Sequence, residues 1–97
     1  MDIKIEYSLE AELDVSDIVS YYEIVDVSCI KELFIDIKKI EKYILSNPEL
    51  YAIRYKKIRR VNLKKFPFSF FYFLEKDKVV ILRVLHQTRD PKFWPQP

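Results

Sequence analysis

The hydrophobic period of this chain changes once, near residue 50, and that change limits the possible folds more than any other feature. Before it, Ile30, Leu33, Phe34, Ile37, Ile40 and Ile44 recur at helical spacing, with Lys31, Glu32, Lys38, Lys39, Glu41 and Lys42 between them. Such spacing gathers the apolar side chains into one stripe of an α-helix. After it, Val61 and Leu63 alternate with Arg60, Asn62 and Lys64, the period of a strand with one wet, basic face. Phe68 to Leu74 is nearly all aromatic, which predicts a central strand covered on both faces.

The remaining elements fit around this switch. Ile3, Ile5 and Tyr7 alternate with Lys4 and Glu6 and read as a half-buried strand. Ser8 is then a natural N-cap, with Glu10, Glu12 and Asp14 at the positive end of a helix dipole. Ala11, Val15, Ile18, Tyr22 and Val25 predict an amphipathic helix over 9–25, interrupted at 26–28 before the second helix begins. Asn47-Pro48 ends that second helix, because the residue before proline is pushed out of helical geometry. Residues 49–53 read as a connector, 75–78 as a polar hairpin turn, and 79–86 as a last strand. In that strand a regular pleat would put Val80, Leu82 and Val84 on one face and Val79, Ile81, Arg83 and Leu85 on the other. The expected fold is therefore α+β: an N-terminal strand, an α-helical hairpin, then an antiparallel three-stranded meander, forming one sheet with the helices on one face. The uncovered face is where function is expected.

Ninety-seven residues, 49% of them hydrophobic, supply one core and one domain spanning 1–97. Glycine is absent, so turns must rely on Asn47, Asn62, Asp77 and the five prolines. Cys29 is the single cysteine, which excludes an internal disulfide and a cysteine-based zinc site. No stretch approaches the roughly 20 apolar residues of a membrane helix, and Met1 to Glu6 does not read as a signal peptide. A cytoplasmic setting without membrane contact is expected. Nucleotide binding by a glycine loop is excluded, and no metal or other cofactor is expected, since one His and one Cys far apart match no ligand spacing.

The net charge of +2 hides an asymmetry. Residues 1–50 hold five Lys/Arg against twelve Asp/Glu, a net of −7, and residues 51–97 hold twelve against three, a net of +9. A polyanionic partner is implied for the second half. Its core is the acid-free run Arg54, Lys56, Lys57, Arg59, Arg60, Lys64 and Lys65, joined further on by Arg83 and Arg89. Clusters of this kind bind phosphate backbones, and Tyr55, Phe66 and Phe68 could stack bases; the plainer alternative is a solvated edge that discourages sheet aggregation. His86, flanked by Arg83 and Arg89 that would stabilise phosphate charge, is the candidate for general acid–base chemistry, and Arg60 is a further catalytic candidate. Against that stands the ordinary role of a lone histidine, a hydrogen bond at a strand end. Trp94 reads as an anchor that tethers the tail.

Several stretches resemble the RelE/ParE superfamily of bacterial toxins. They are Ile5-Glu6-Tyr7-Ser8 with Glu10-Ala11-Glu12, Asp17-Ile18 and Tyr21-Tyr22-Glu23; Asn47-Pro48-Glu49-Leu50-Tyr51; Ile58-Arg59-Arg60 before Phe66-Pro67-Phe68-Ser69; and Leu82-Arg83-Val84-Leu85-His86-Gln87-Thr88-Arg89-Asp90-Pro91. The resemblance runs from Ile3 to Trp94. It implies the toxin of a type II toxin–antitoxin pair, silenced by a cognate acidic antitoxin that folds on binding. RelE-like members cut messenger RNA in the ribosome, with basic residues on the sheet and a tyrosine or histidine near the C-terminus. ParE-like members block DNA gyrase and do no bond chemistry. Here Ser69 stands where many of the ribonucleases have an arginine, and Trp94 falls near the place of the terminal tyrosine; indole has no proton to exchange at neutral pH. The expectation is accordingly ParE-like inhibition of gyrase by binding, with RelE-like cleavage of ribosome-bound mRNA as the alternative and a non-toxic nucleic-acid-binding module as a third.

Overall fold

A computed structural model describes residues 3–51, 53–55 and 57–95, with the side chains of 53–55 outside the description. The elements are β1 (Lys4–Tyr7), α1 (Leu9–Val25), α2 (Cys29–Ser46), β2 (Ile53–Tyr55), β3 (Ile58–Asn62), β4 (Phe68–Glu75) and β5 (Lys78–His86), followed by a 3-10 turn at Pro91–Phe93. The α+β order expected from the sequence is present, with one addition. The short strand β2 occupies the end of the expected connector and pairs antiparallel with β3. One sheet results, in the order β1-β5-β4-β3-β2.

β3, β4 and β5 form the antiparallel meander, while β1 pairs in parallel with β5, from Lys4 opposite Lys78 to Tyr7 opposite Ile81. β1 stops there, and the start of α1 takes over its role along the edge of β5. The Ser8 amide donates to the Ile81 carbonyl (2.9 Å), and its hydroxyl donates to the Leu82 carbonyl (2.8 Å) while accepting the Ala11 amide (3.0 Å). One residue thus caps α1 and satisfies strand groups that would otherwise be orphaned.

Both helices lie on one face. Leu33, Ile37, Ile40 and Ile44 of α2 pack with Val61, Leu63, Phe66, Phe70, Tyr72, Val79, Ile81 and Val84 of the sheet and its loops. α1 buries only Ala11 completely; Val15, Ile18, Val19 and Tyr22 are half-buried against that core, and Val25, at the last residue of the helix, is exposed. A groove of about 550 Å³, lined by Tyr7, Val15, Val19, Phe34, Ile37 and Glu41, lies between the helices.

Two local features depart from the sequence reading. The register of β4 against β5 slips between Phe71, opposite Arg83, and Tyr72, opposite Ile81, leaving Leu82 as the extra residue of a β-bulge. The alternation of faces therefore breaks at the bulge: Val79, Ile81 and Val84 face the helices, while Leu82 and Leu85 pack on the other side with Ile58 and Phe71. In the β4–β5 turn, Lys76 rather than Asp77 takes the left-handed conformation (φ 53°) that glycine would adopt most cheaply.

Candidate functional site on the open sheet face

The face without helices is organised around Arg60. Alternation along β3 puts Ile58, Arg60 and Asn62 there, and Ser69 and Phe71 stand opposite them on β4, Asn62 facing Ser69 and Arg60 facing Phe71. The Arg60 Nε donates to Ser69 Oγ (3.0 Å), and its Nη2 donates to the Gln87 carbonyl (2.9 Å). Ser69 is fully buried and passes its own proton to Asn62 Oδ1.

The tail completes the arrangement. Arg89 N–H donates to the His86 carbonyl (2.9 Å), which turns the chain back after β5. Asp90 caps the 3-10 turn by accepting the Lys92 amide (3.0 Å), and Pro91 supplies a pre-set φ at its start. Trp94 is thereby laid against Phe71, with centroids 5.1 Å apart, and under the Arg60 guanidinium at 4.9 Å. The guanidinium also lies 5.7 Å from the Phe71 ring. A cation resting against two touching aromatic rings and held by directed hydrogen bonds to Ser69 and the Gln87 carbonyl is pre-organised to meet an anionic or π-rich surface. Trp94 is expected from the sequence to anchor the tail and to fall near the place of a terminal tyrosine. The structure shows the anchor and the wall of the arginine site to be one ring.

The other cations serve varied purposes. Arg59, on the helix side, donates from Nη1 to the carbonyls of Glu49 (2.9 Å) and Tyr51 (2.8 Å), pinning the segment that follows α2. Lys64 lies 5.1 Å over the Tyr43 ring, and the Lys65 backbone amide donates to buried Asp36 (2.9 Å). Lys57 is exposed in the β2–β3 turn. Arg89 and Lys92 flank the Phe93 ring at 4.6 and 5.2 Å. The side chains of Arg54 and Lys56 lie outside the described residues.

Arg83 and His86 have partners of their own on the side of α1. Arg83 is forked onto Asp14 of α1, Nε at 2.7 Å and Nη2 at 2.9 Å, and the same carboxylate accepts the Val84 amide (2.9 Å). The hydrogen bond to Asp14 raises the guanidinium pKa further above its ordinary value. Asp14 had no signal in the sequence beyond its place among the acids near the start of α1. His86 stands opposite Phe68, its ring edge-on at 5.6 Å, and shares a cavity with residues of α1, so it belongs to the helix side. Its Nδ1 lies 2.8 Å from Thr88 Oγ1 and 3.2 Å from the Thr88 amide. The three candidates for chemistry thus occupy three different environments. Among the described residues no cluster of His, Cys, Asp and Glu is gathered that could hold a metal, and no helix is long and apolar enough to cross a membrane.

Comparison with known proteins places this architecture. No curated protein sequence matches the chain. Among solved structures, it superposes on a chain of the chromosomal ParDE toxin–antitoxin system from P. aeruginosa with a TM-score of 0.75 at 18% identity, covering 87% of this chain and 95% of that one. A chain of the E. coli DinJ–YafQ toxin–antitoxin complex gives a TM-score of 0.57 at 14% identity, covering 90% and 94%. At these identities both likenesses concern the fold. The family model of the ParE toxin of the type II toxin–antitoxin system parDE matches residues 5–91, nearly the whole described chain. Sequence family and fold agree, and the chain belongs to the ParE toxin family.

Proposed function

We propose that this chain is a growth-inhibiting toxin that works in the cytoplasm by binding, in the ParE manner, to DNA gyrase, and that an acidic cognate antitoxin keeps it silent by folding onto it. The observation that carries the reading is the separation of Arg60, Arg83 and His86. A ribonuclease must neutralise a pentacoordinate phosphate and move protons at the same place. Here the pre-organised cation lies over Trp94 on the open face, Arg83 is committed to Asp14, and His86 sits on the helix side. A protein that acts by attachment needs only the first of these. An arginine held in place against aromatic rings is the kind of residue that dominates binding energy at interfaces. The net charge of +9 over residues 51–97 suits both an acidic antitoxin segment and a target associated with DNA.

The test is purified gyrase acting on relaxed plasmid. Stoichiometric toxin is expected to suppress supercoiling, and Arg60→Ala to relieve that suppression. Unaffected gyrase, together with codon-positioned cuts in ribosome-bound mRNA that vanish in His86→Gln, would replace this reading by the RelE-like one.

A further inference from the structure

A second concavity, of about 360 Å³, lies on the opposite side of the sheet from Arg60, between α1 and the ends of β4 and β5. Asp17 and Tyr21 reach it from one face of α1, being four residues apart, and Ile18 and Tyr22 do so from the neighbouring row. Phe68 and His86 reach it from the sheet, where they are paired across β4 and β5.

The rings form a connected series. Tyr21 stands on Tyr22 at 5.2 Å, Tyr22 on Phe68 at 6.5 Å, and Phe68 on His86 at 5.6 Å, each pair within about 12° of perpendicular. Four of the residues that line the cavity therefore carry π-rings, whose faces hold the negative part of the aromatic quadrupole. Asp17 adds a full negative charge beside them. It is exposed and forms no ion pair or hydrogen bond among the described residues, unlike Asp14 one turn earlier, which holds Arg83. The surrounding helix is itself acidic, with Glu10, Glu12 and Glu23 also exposed. Aromatic faces beside an uncompensated carboxylate make a site for an organic cation.

We propose that this cavity receives an arginine side chain from a partner protein, its guanidinium stacked among Tyr21, Tyr22, Phe68 and His86 and paired with Asp17. Volume and chemistry select that occupant. The space takes one side chain and not a helix, and a planar guanidinium can lie on a ring while forking onto a carboxylate, which a compact ammonium cannot do. The inference is independent of the gyrase reading, since it concerns the helix side of the sheet, where the acidic half supplies the carboxylate, and not the Arg60 face. It gives that half a positive contact of its own, so a partner would need an arginine opposite α1 as well as acids opposite the basic half.

The experiment is a titration of the ¹⁵N-labelled full chain with N-acetyl-arginine N-methylamide, followed by two-dimensional NMR. Saturable shifts are expected at Asp17, Tyr21, Tyr22 and His86, with Arg60 and Ser69 unmoved. The neutral citrulline analogue should bind at least about tenfold more weakly, and so should arginine to Asp17→Asn or Tyr21→Ala. Both positions are exposed, and the spectra themselves report whether each variant is folded. The proposal is overturned if the cavity residues do not shift, if citrulline matches arginine, or if a folded Asp17→Asn binds as the wild type does. It is also overturned if tetramethylammonium chloride shifts the same residues at equal or lower concentration, which would make the cavity a receptor for small quaternary ammonium ions.

Discussion

Beneath the helices, Phe70, Tyr72, Val79 and Ile81 have no measurable exposure, and the polar groups among them are paired: Tyr72 donates its hydroxyl to the Pro48 carbonyl (2.6 Å), Tyr7 donates to Glu41, and Asp36 accepts the Lys65 amide. The other face of the same sheet is roofed by one short tail. There Ile58, Phe71 and Leu85 are buried with help from Leu82 and Trp94, and a charged guanidinium is part of the roof. The contrast separates two tasks. Hydrophobic burial is roughly proportional to apolar area removed from water, so the helix side carries most of the folding free energy. The tail side contributes little area, and its hydrogen bonds are spent on fixing the direction of Arg60 rather than on closing a core.

If that division is right, truncation on the helix side has the largest effect. Phe70→Ala is expected to cost about 3–5 kcal/mol, the usual range for a fully buried phenylalanine. Against a total of about 5–15 kcal/mol for a domain of this kind, urea titration should find the variant close to unfolded at 37 °C. A loss below about 1 kcal/mol would show that the core is not concentrated under the helices.

Alkaline pH offers a gentler probe of the same side. Burial pushes the Tyr72 hydroxyl up to about 12, and burial together with the hydrogen bond to Glu41 pushes Tyr7 higher still. A folded-state pKa above the unfolded value of about 10 means that the fold favours the protonated ring. Its contribution to stability is therefore complete below pH 10 and is lost as pH rises from 10 towards 12. The urea midpoint should hold up to pH 10 and then fall, with tyrosinate absorbance from these rings appearing only as the chain unfolds. Tyr72→Phe should fall less steeply over that window; an identical fall would assign the transition to other groups.

What could be read in advance follows the same division. The α2 stripe and the aromatic β4 are local patterns, visible because helix and strand periods differ. β2 was hidden because three residues are too few to show alternation, and the place of β1 beside β5 because parallel pairing across two helices leaves no local mark. The bulge at Leu82 reversed the faces of β5 without any glycine or proline to announce it. For the site, charge identified Arg60 as one cation among many. Only the register of β3 against β4, and the return of the tail, single it out by placing Ser69, Gln87 and Trp94 around it. Asp14 and Arg83 are 69 residues apart, and no spacing rule links them.

The smallest expected change in stability is also the one that tests the comparison most sharply. Trp94 is only partly buried, and it lies against the Phe71 ring and the Arg60 guanidinium at the edge of the small Ile58, Phe71 and Leu85 cluster. Trp94→Ala should therefore cost about 1 kcal/mol by urea titration, the scale of one cation–π contact plus partial ring burial. Arg60 would keep its bonds to Ser69 on β4 and to the Gln87 carbonyl, whose own amide is tied to the Pro67 carbonyl, but would lose the ring that its guanidinium rests on. Under the proposed function, gyrase inhibition should fall at least about tenfold, far more than the stability change explains, because a loosened arginine must be ordered again on each binding event. Trp94→Phe separates the causes: an aromatic ring without the indole should recover most of the inhibition if orientation of Arg60 is what matters. If Trp94→Ala instead lost several kcal/mol and inhibition fell only in proportion to the unfolded fraction, the tail would be part of the core, and the two faces would not be doing different jobs.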